Sequence, residues 1–179
     1  MMIDYRKAFP LLDRIQNRAL AEAACGIWDT FLRQCSWPDL EAAMLNIDPA
    51  KGTLANYVRA VMQICWDSAD TLAGVYSLTV DRDVLLLSAF LHDACKLIEY
   101  EPSDDPRGYH KSRLGEFYQH GFLSASSALA AGMPEAVVSN IICHTPQTNH
   151  KICTIEGHIL EHADRMVTAS LALAAAPQL

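Results

Sequence analysis

The sequence lacks the features that mark secreted, membrane-spanning and disulfide-rich proteins. Its N-terminus, MMIDYRKAF, has no apolar stretch of the kind that a signal peptide needs. The longest segment without Asp, Glu, Lys or Arg runs from Phe117 to Pro134, and its polar side chains make it a poor membrane span. None of the six cysteines forms a Cys-x-x-Cys pair, so we interpret them as reduced thiols. We therefore expect a cytoplasmic protein that does not enter a membrane.

Positive charge is also scarce. With 14 Lys and Arg against 21 Asp and Glu, the formal net charge of the 179 residues is −7. An acidic chain without a basic run has no electrostatic surface for duplex nucleic acid. A protein of this charge that handles phosphate esters needs a local cation, and a metal ion is the obvious one. We therefore expect neither duplex nucleic acid nor a membrane among its partners, with a homodimer as a candidate assembly.

Apolar residues recur at helical spacing through almost the whole chain, and no segment shows a strand pattern. The pattern therefore predicts an all-α fold in which the first 47 residues are an accessory helical element. The predicted helices cover Leu11–Gln34, Pro38 to about Ile47, Thr53 to about Tyr76, a segment capped near Asp81, Ser112–Gln119, Gly121–Ala131, Pro134–Cys143, and Thr154 to about Leu173.

A His-Asp pair stands at the end of the most apolar predicted helix. The run from Val84 to Leu91 is apolar on all sides, which is typical of a helix at the centre of a molecule. His92 and Asp93 follow it directly, where a buried carboxylate needs a cation or a metal as its partner. Adjacent helical residues point about 100 degrees apart, so both can face one cluster only where the last turn opens. Lys96 lies within reach of the same face.

For a His-Asp dipeptide alone, a helix end with an ordinary Asp–Lys pair in solvent is the better explanation. Three further residues favour a metal site: His120 at a helix junction, His144 at the end of an apolar helix, and Asp164 within the last helix. Imidazole and carboxylate groups from separate helices commonly hold metals inside helical bundles. The candidate metal ligands are His92, Asp93, His120, His144 and Asp164.

The order of these residues resembles the HD family of metal-dependent phosphohydrolases. The segment AFLHDACKL resembles the family's defining helix end, and GHILEHADRM resembles its final helix with an Ala-Asp pair. The resemblance covers roughly residues 53 to 174 and implies an HD-domain helical bundle. We therefore divide the chain into an N-terminal helical extension, residues 1–47, and an HD-type helical metal-binding domain, residues 48–179.

The resemblance also implies roles for the candidate ligands. His92, Asp93 and Asp164 would belong to a first metal site. Asp93 would bridge to a second metal, held by His120 and His144. The cofactor would be one or two divalent ions, and manganese, iron, zinc, cobalt and nickel all suit these ligands.

By the same resemblance, Lys96 would contact a substrate phosphate, so that Asp93 and Lys96 are the implied catalytic residues. The implied activity is hydrolysis of a phosphomonoester or phosphodiester by a metal-activated water. The implied substrate is a nucleotide or another small phosphate ester.

One ligand of the family is missing. HD proteins carry another metal-binding histidine on the helix before the His-Asp pair, and that stretch here, GTLANYVRAVMQICWDSAD, has none. The position falls on Asn56 or Tyr57. The first metal site is therefore predicted to be weak, altered or empty, and the second to be intact. The alternative hypothesis is a degenerate, non-catalytic HD domain that serves as a nucleotide-binding or interaction module.

Two further activities remain open. Other HD relatives use two irons for oxygenation. The last helix contains His158-Ile159-Leu160-Glu161-His162, an H-x-x-E-H pattern that is typical of inverted zinc peptidases. Those enzymes need a distant ligand downstream, and few residues follow His162. We therefore favour a polar outer face of the helix as the explanation of this pattern.

Overall fold

The computed structural model describes residues 3–45, 52–104, 108–145, 148 and 151–175. These residues form helices and one small antiparallel sheet, which confirms the all-α class. Among them no helix is both long enough and apolar enough to cross a bilayer. In chain order the elements are α1 (Tyr5–Ala8), a 3₁₀ helix (Pro10–Arg14), α2 (Arg18–Gln34), α3 (Leu54–Tyr76), α4 (Arg82–Leu91), α5 (Lys96–Glu99), β1 (Tyr100–Pro102), β2 (Tyr109–Lys111), α6 (Arg113–Phe117), α7 (His120–Ala130), α8 (Glu135–Cys143) and α9 (Ile155–Ala175).

Helix α4 lies at the centre of the molecule, as its apolar sequence predicts. Every residue from Leu85 to Leu91 is buried. The helix packs against α2, α3, α8 and α9. It begins where the Asp81 carboxylate accepts a hydrogen bond from the backbone N–H of Val84 at 3.0 Å. Because α4 is surrounded on all sides, the residues that follow it emerge in the interior of the bundle.

The N-terminal helices pack onto α4 through aromatic side chains. The ring of Trp28 stacks on that of Phe90 with 5.4 Å between centroids. Phe9 meets Phe90 edge-on at 5.1 Å. The indole N–H of Trp28 donates to the carbonyl of Phe90 at 3.1 Å. These residues belong to the same core cluster as the rest of the bundle. The domain boundary predicted between residues 47 and 48 lies outside the described residues.

The prediction of one continuous helix over Leu11–Gln34 is wrong. The chain forms a 3₁₀ helix and then a separate α2, with Ile15 extended between them. The carboxylate of Asp83 accepts the backbone N–H groups of Gln16 and Asn17 at 2.7 and 2.8 Å. The Asn17 side chain then caps α2. The interruption between the 3₁₀ helix and α2 is therefore stabilised by Asp83, a residue distant in sequence. The local spacing of apolar residues does not reveal such a contact.

The helix predicted from Pro38 is also wrong over the described residues. Residues 38–45 form turns, and Met44 pairs with Thr53 in an isolated antiparallel bridge. The backbone N–H of Leu54 donates to the Ala43 carbonyl at 2.8 Å. The segment around Met44 thus pairs with the start of α3 and does not form the predicted helix. The remainder of the predicted helix, at residues 46 and 47, lies outside the described part of the chain.

The expectation that no strand is present is wrong for two short segments. Strands β1 and β2 pair in antiparallel register, with Tyr100 opposite Lys111 and Pro102 opposite Tyr109. Three residues are too few for an alternating pattern to be visible in the sequence. This hairpin places Lys111 close to Glu99, at the end of α5.

The later helices begin close to the predicted positions. The Thr53 hydroxyl accepts from the backbone N–H of Asn56 at 3.4 Å and caps α3. Likewise the Thr154 hydroxyl accepts from the N–H of Gly157 at 2.9 Å at the start of α9. Helices α7 and α8 match their predicted ranges to within a residue at each end. Capping residues therefore locate these boundaries well.

Candidate metal centre

The backbone changes its hydrogen bonding directly after α4. Beyond Leu91, the N–H groups of Ala94 and Lys96 donate to the carbonyls of Leu91 and Asp93, three residues back, at 3.2 and 2.9 Å. A tight turn thus replaces the α-helix before α5 begins. Nε2 of His92 consequently lies 3.5 Å from Oδ2 of Asp93, so both side chains face one cluster. The predicted opening of the last turn is confirmed.

Asp93 lies at the centre of this cluster and is only 1% exposed. Its Oδ1 lies 3.5 Å from Nε2 of His120 and 3.6 Å from Nε2 of His144. Its Oδ2 lies 3.3 Å from Nζ of Lys96. Helices α7 and α8 supply the two imidazoles, at the first residue of α7 and directly after α8. The Asp93 carboxylate therefore contacts Lys96, His120 and His144, which come from three separate segments of the chain.

The structure brings all five candidate ligands together in two sets that share Asp93. One set is His92, Asp93 and Asp164, and the other is Asp93, His120 and His144. Within each set, one ligand atom from each residue lies within 4.8 Å of the other two. Oδ1 of Asp164, on α9, lies 3.6 Å from Nε2 of His92. The arrangement offers positions for two ions that would share one carboxylate.

Backbone carbonyls orient two of the three imidazoles in the way that is usual for metal-binding histidines. Nδ1 of His92 lies 2.7 Å from the Ala89 carbonyl, and Nδ1 of His144 lies 2.5 Å from the Ile141 carbonyl. A proton on Nδ1 donates these bonds and leaves each Nε2 lone pair facing a carboxylate. Nε2 of His92 and Oδ1 of Asp93 are buried with no hydrogen-bond partner among the described residues. Each of these two atoms faces carboxylate or imidazole atoms of the cluster at 3.5–3.6 Å, and a cation between such groups would satisfy them.

The charges in the cluster support the same fit. Burial alone would raise the pKa of Asp93, but Lys96 and the neighbouring imidazoles outweigh it and hold the pKa well below its ordinary value. Burial lowers the pKa of His120 to about 3. At neutral pH, Asp93 is therefore ionised and His120 is neutral, which are the forms that bind metal ions. The donor set of imidazole and carboxylate suits a divalent transition metal.

Tyr57, not Asn56, faces the cluster from α3. The Tyr57 hydroxyl donates to Oδ1 of Asp164 and lies 2.7 Å from the hydroxyl of Thr168. Its ring centroid lies 6.1 Å from that of His92. The Asn56 side chain is exposed, and its Oδ1 accepts from Arg59 at 2.7 Å. Of the two residues predicted for the position of the missing histidine, Tyr57 is therefore the one that faces the cluster, and it hydrogen-bonds to a candidate ligand.

Replacing this phenol by an imidazole should strengthen the first ligand set. In the Tyr57→His variant, a nitrogen donor would join His92, Asp93 and Asp164, and Asp164 would lose its hydrogen bond to the phenol. We expect the variant to bind about one additional zinc ion per chain, because a fourth ligand completes the tetrahedral coordination that zinc prefers. Elemental analysis after dialysis against metal-free buffer measures the change.

Asn56→His is the matched control, because it adds the same group one residue away on an exposed side chain. We expect its tightly bound metal content to equal that of the wild type. An equal rise in both variants, or no rise in Tyr57→His, would show that Tyr57 does not occupy a ligand position.

Glu99 is a buried carboxylate that the sequence analysis missed. It is 4% exposed, and its Oε2 lies 3.6 Å from Nδ1 of His120. Its Oε1 lies 3.4 Å from Nζ of Lys111, a residue of β2. Burial raises the pKa of Glu99. The only signal in the sequence is an acidic residue three positions after Lys96 in an apolar segment. Oε2 of Glu99 has no hydrogen-bond partner among the described residues, and it faces the His120 ring from the side away from Asp93.

Comparison with known proteins agrees with this arrangement. The family model described as the HD domain matches residues 58–169, which is more than half of the chain and includes all five candidate ligands. A search of curated proteins and a search of solved structures each found no significant match. The helical fold, the His-Asp pair at the end of α4 and the matched family model lead to one conclusion: the chain belongs to the HD domain family.

Proposed function

We propose that this protein is a metal-dependent phosphohydrolase that acts on a nucleotide or another small phosphate ester. The observation that carries the proposal is the buried Asp93, whose two oxygens face three imidazoles and the ammonium group of Lys96. A carboxylate this deeply buried is costly to a fold unless cations surround it. Perturbed ionisable groups gathered in this way are typical of functional sites.

The two ligand sets would hold one or two divalent ions. In the set of Asp93, His120 and His144, both imidazoles face Oδ1 of Asp93. The set with His92 and Asp164 is constrained by Tyr57, which already hydrogen-bonds to Asp164. A bound ion would supply an activated water molecule and neutralise charge on the phosphate. Manganese, iron, zinc, cobalt and nickel remain compatible with these donors.

Lys96 would bind the phosphate. Its Nζ lies 3.3 Å from Oδ2 of Asp93, and its side chain is 12% exposed. Burial by itself lowers the pKa of Lys96, but Asp93 and Glu99 outweigh that effect and raise it. The group is therefore a permanent positive charge beside the ligand sets. In an acidic chain, such a fixed local charge gives an anionic substrate a place to bind.

Glu99 and Lys111 would support the site without touching the substrate. Oε2 of Glu99 faces Nδ1 of His120, on the other side of the ring from Asp93. Lys111 partly balances the charge of Glu99 and donates to the Gly115 carbonyl at 3.3 Å. Gly115 is required there, because an added Cβ would lie 2.4 Å from the Glu99 carbonyl oxygen. Through Glu99, the hairpin and α6 would help to keep His120 in a metal-binding orientation.

The Lys96→Gln variant tests the assignment of the phosphate contact. We expect kcat/KM for phosphate esters to fall about 10²–10³-fold, because the substrate loses one fixed charge in a water-poor site. Manganese-loaded protein is assayed with p-nitrophenyl phosphate, bis(p-nitrophenyl) phosphate and a series of nucleoside monophosphates. The metal content of the variant is measured on the same sample and is expected to remain unchanged.

Lys7→Gln, on the exposed surface of α1, is the matched control and should keep wild-type activity. Wild-type kinetics in Lys96→Gln would remove Lys96 from the site. A metal-loaded wild type that hydrolyses none of these esters would contradict the proposed activity.

A non-catalytic HD domain is the second candidate function, and Tyr57 is the observation that favours it. A phenol in place of a ligand, hydrogen-bonded to Asp164, leaves the first set with three donors. Under this alternative the protein would bind a nucleotide or a partner without hydrolysis. Saturable binding of a nucleoside monophosphate without turnover by the metal-loaded protein would support it.

A further inference from the structure

Helix α9 carries a second group of ligand-type side chains, on a different face from Asp164. His158 and His162 are exposed and stand one helical turn apart, with 6.2 Å between their ring centroids. Glu161 lies beside them. One ligand atom from each of these three residues lies within 4.8 Å of the other two. The spacing allows all three side chains to bind one ion.

The two histidines line a groove between α3 and α9. The groove has a volume of about 650 Å³, and Asp67 and Ser68 of α3 lie on its opposite wall. Nδ1 of His162 lies 2.9 Å from the His158 carbonyl. A proton on Nδ1 donates that bond and leaves the lone pair on Nε2 available. An ion held by the imidazoles would therefore lie at the rim of the groove.

We propose that His158, Glu161 and His162 bind a transition-metal ion at a surface site separate from the buried centre. Two imidazoles and a carboxylate favour zinc, nickel or copper over magnesium or calcium, which prefer oxygen ligands alone. The H-x-x-E-H pattern acts here as a chelate on one helix turn, with its remaining coordination positions open to water. The proposal does not include peptide hydrolysis.

Glu161 must exchange partners when the ion binds. Its Oε1 accepts from the Arg165 guanidinium at 2.9 Å, and its Oε2 lies 3.7 Å from Nδ1 of His162. The Arg165 side chain is 61% exposed, so this ion pair contributes little and is readily given up. The imidazoles are the primary ligands, and Glu161 strengthens the site by neutralising part of the ion's charge.

The surface site is independent of the buried one. Its two histidines are exposed, so an ion there exchanges with solvent, whereas Asp93 at the buried centre is 1% exposed. Asp164 follows His162 by two residues, but its carboxylate points to His92 and Tyr57. Substitutions of His158 and His162 therefore leave the buried ligand sets in place.

Nickel titration and copper electron paramagnetic resonance test this site. Both are done on the full chain in a Cys153→Ser background, because Cys153 is an exposed thiol that also binds soft metals. We expect one exchangeable nickel ion per chain and a copper spectrum with two nitrogen ligands. His158→Ala and His162→Ala should each leave one nitrogen and weaken nickel binding about a hundredfold, because the chelate is lost.

His110→Ala is the matched control, since His110 is another exposed histidine, on β2. We expect it to bind nickel and copper as the starting protein does. Glu161→Gln should weaken nickel binding while keeping two nitrogen ligands. Wild-type binding in the His158→Ala/His162→Ala double variant would overturn the proposal.

The outcome is separable from that of the proposed function. Asp93→Asn should remove the slowly exchanging ion of the buried centre and leave the exchangeable ion in place. A protein without buried metal that still binds nickel through His158 and His162 would contradict only the proposed hydrolase. A protein with buried metal but no exchangeable nickel would contradict only the surface site.

Discussion

The Asp93→Asn variant is expected to purify without its buried metal and to lose phosphoester hydrolysis. Asp93 is the one residue that both ligand sets share. Its two oxygens face His92, His120, His144 and Lys96 at 3.3–3.6 Å. Asparagine keeps the shape but removes the charge and one acceptor oxygen, so the set with His120 and His144 loses its only carboxylate and the set with His92 keeps only that of Asp164. Elemental analysis of both proteins, beside a phosphate-ester assay, measures the two effects.

The control for this prediction is Asp70→Asn, which removes an exposed carboxylate paired with Arg82 at 2.7 Å. We expect it to keep the metal and the activity of the wild type. Circular dichroism must show that Asp93→Asn remains helical, because a misfolded chain would lose metal for another reason. Wild-type metal in Asp93→Asn would refute the ligand assignment. No metal in either protein after soaking with manganese and iron would favour the non-catalytic HD domain.

The Trp28→Ala variant is expected to lower the free energy of unfolding by about 3–5 kcal/mol, as large-to-small changes in packed cores do. Trp28 is fully buried, stacks on Phe90 and packs against Phe9. Its indole N–H also donates a hydrogen bond to the Phe90 carbonyl at 3.1 Å. The loss would show that the N-terminal helices stabilise the central helix α4. Urea unfolding followed by far-UV circular dichroism gives the free energy.

Two variants separate the contributions at this position. Trp28→Phe keeps an aromatic ring and loses only the hydrogen bond and part of the volume, so its effect should be smaller. Trp66→Ala removes a half-buried indole that lies against Arg14 and Arg82, and it should also destabilise less. A change below about 1 kcal/mol in Trp28→Ala, or two separate unfolding transitions in the wild type, would show that the N-terminal helices are an independent unit.

Local signals in the sequence located most helices but missed the features that distant residues create. The apolar run of α4 and the capping hydroxyls of Thr53 and Thr154 act within a few residues, and they predicted the elements correctly. The break before α2 depends on Asp83, which lies far along the chain. The β1–β2 hairpin depends on pairing between strands of three residues each. Neither the break nor the hairpin produces a periodic pattern of apolar residues in the sequence.

The sequence likewise indicated some features of the candidate site and not others. Resemblance to the HD family indicated His92, Asp93, His120, His144 and Asp164, because their order along the chain is itself the pattern. Their convergence could be seen only in the fold.

Two parts of the site needed three-dimensional information. The choice between Asn56 and Tyr57 depends on which side of α3 faces the cluster, and adjacent residues differ by about 100 degrees. Glu99 acts through His120 and Lys111, neither of which is near it in sequence. The spacing of residues in the sequence does not predict these contacts of Glu99, because the β1–β2 hairpin and helix α7 place its partners beside it.

The candidate ligands come from four parts of the chain, at the end of α4, the start of α7, the end of α8 and the middle of α9. An ion shared among them would act as a removable crosslink between segments that are distant in sequence. Its binding energy would add to the stability of the fold. Core substitutions that a metal-replete cell tolerates would then unfold the same chain under metal starvation. Metal supply would thereby set how much sequence variation this fold can accumulate.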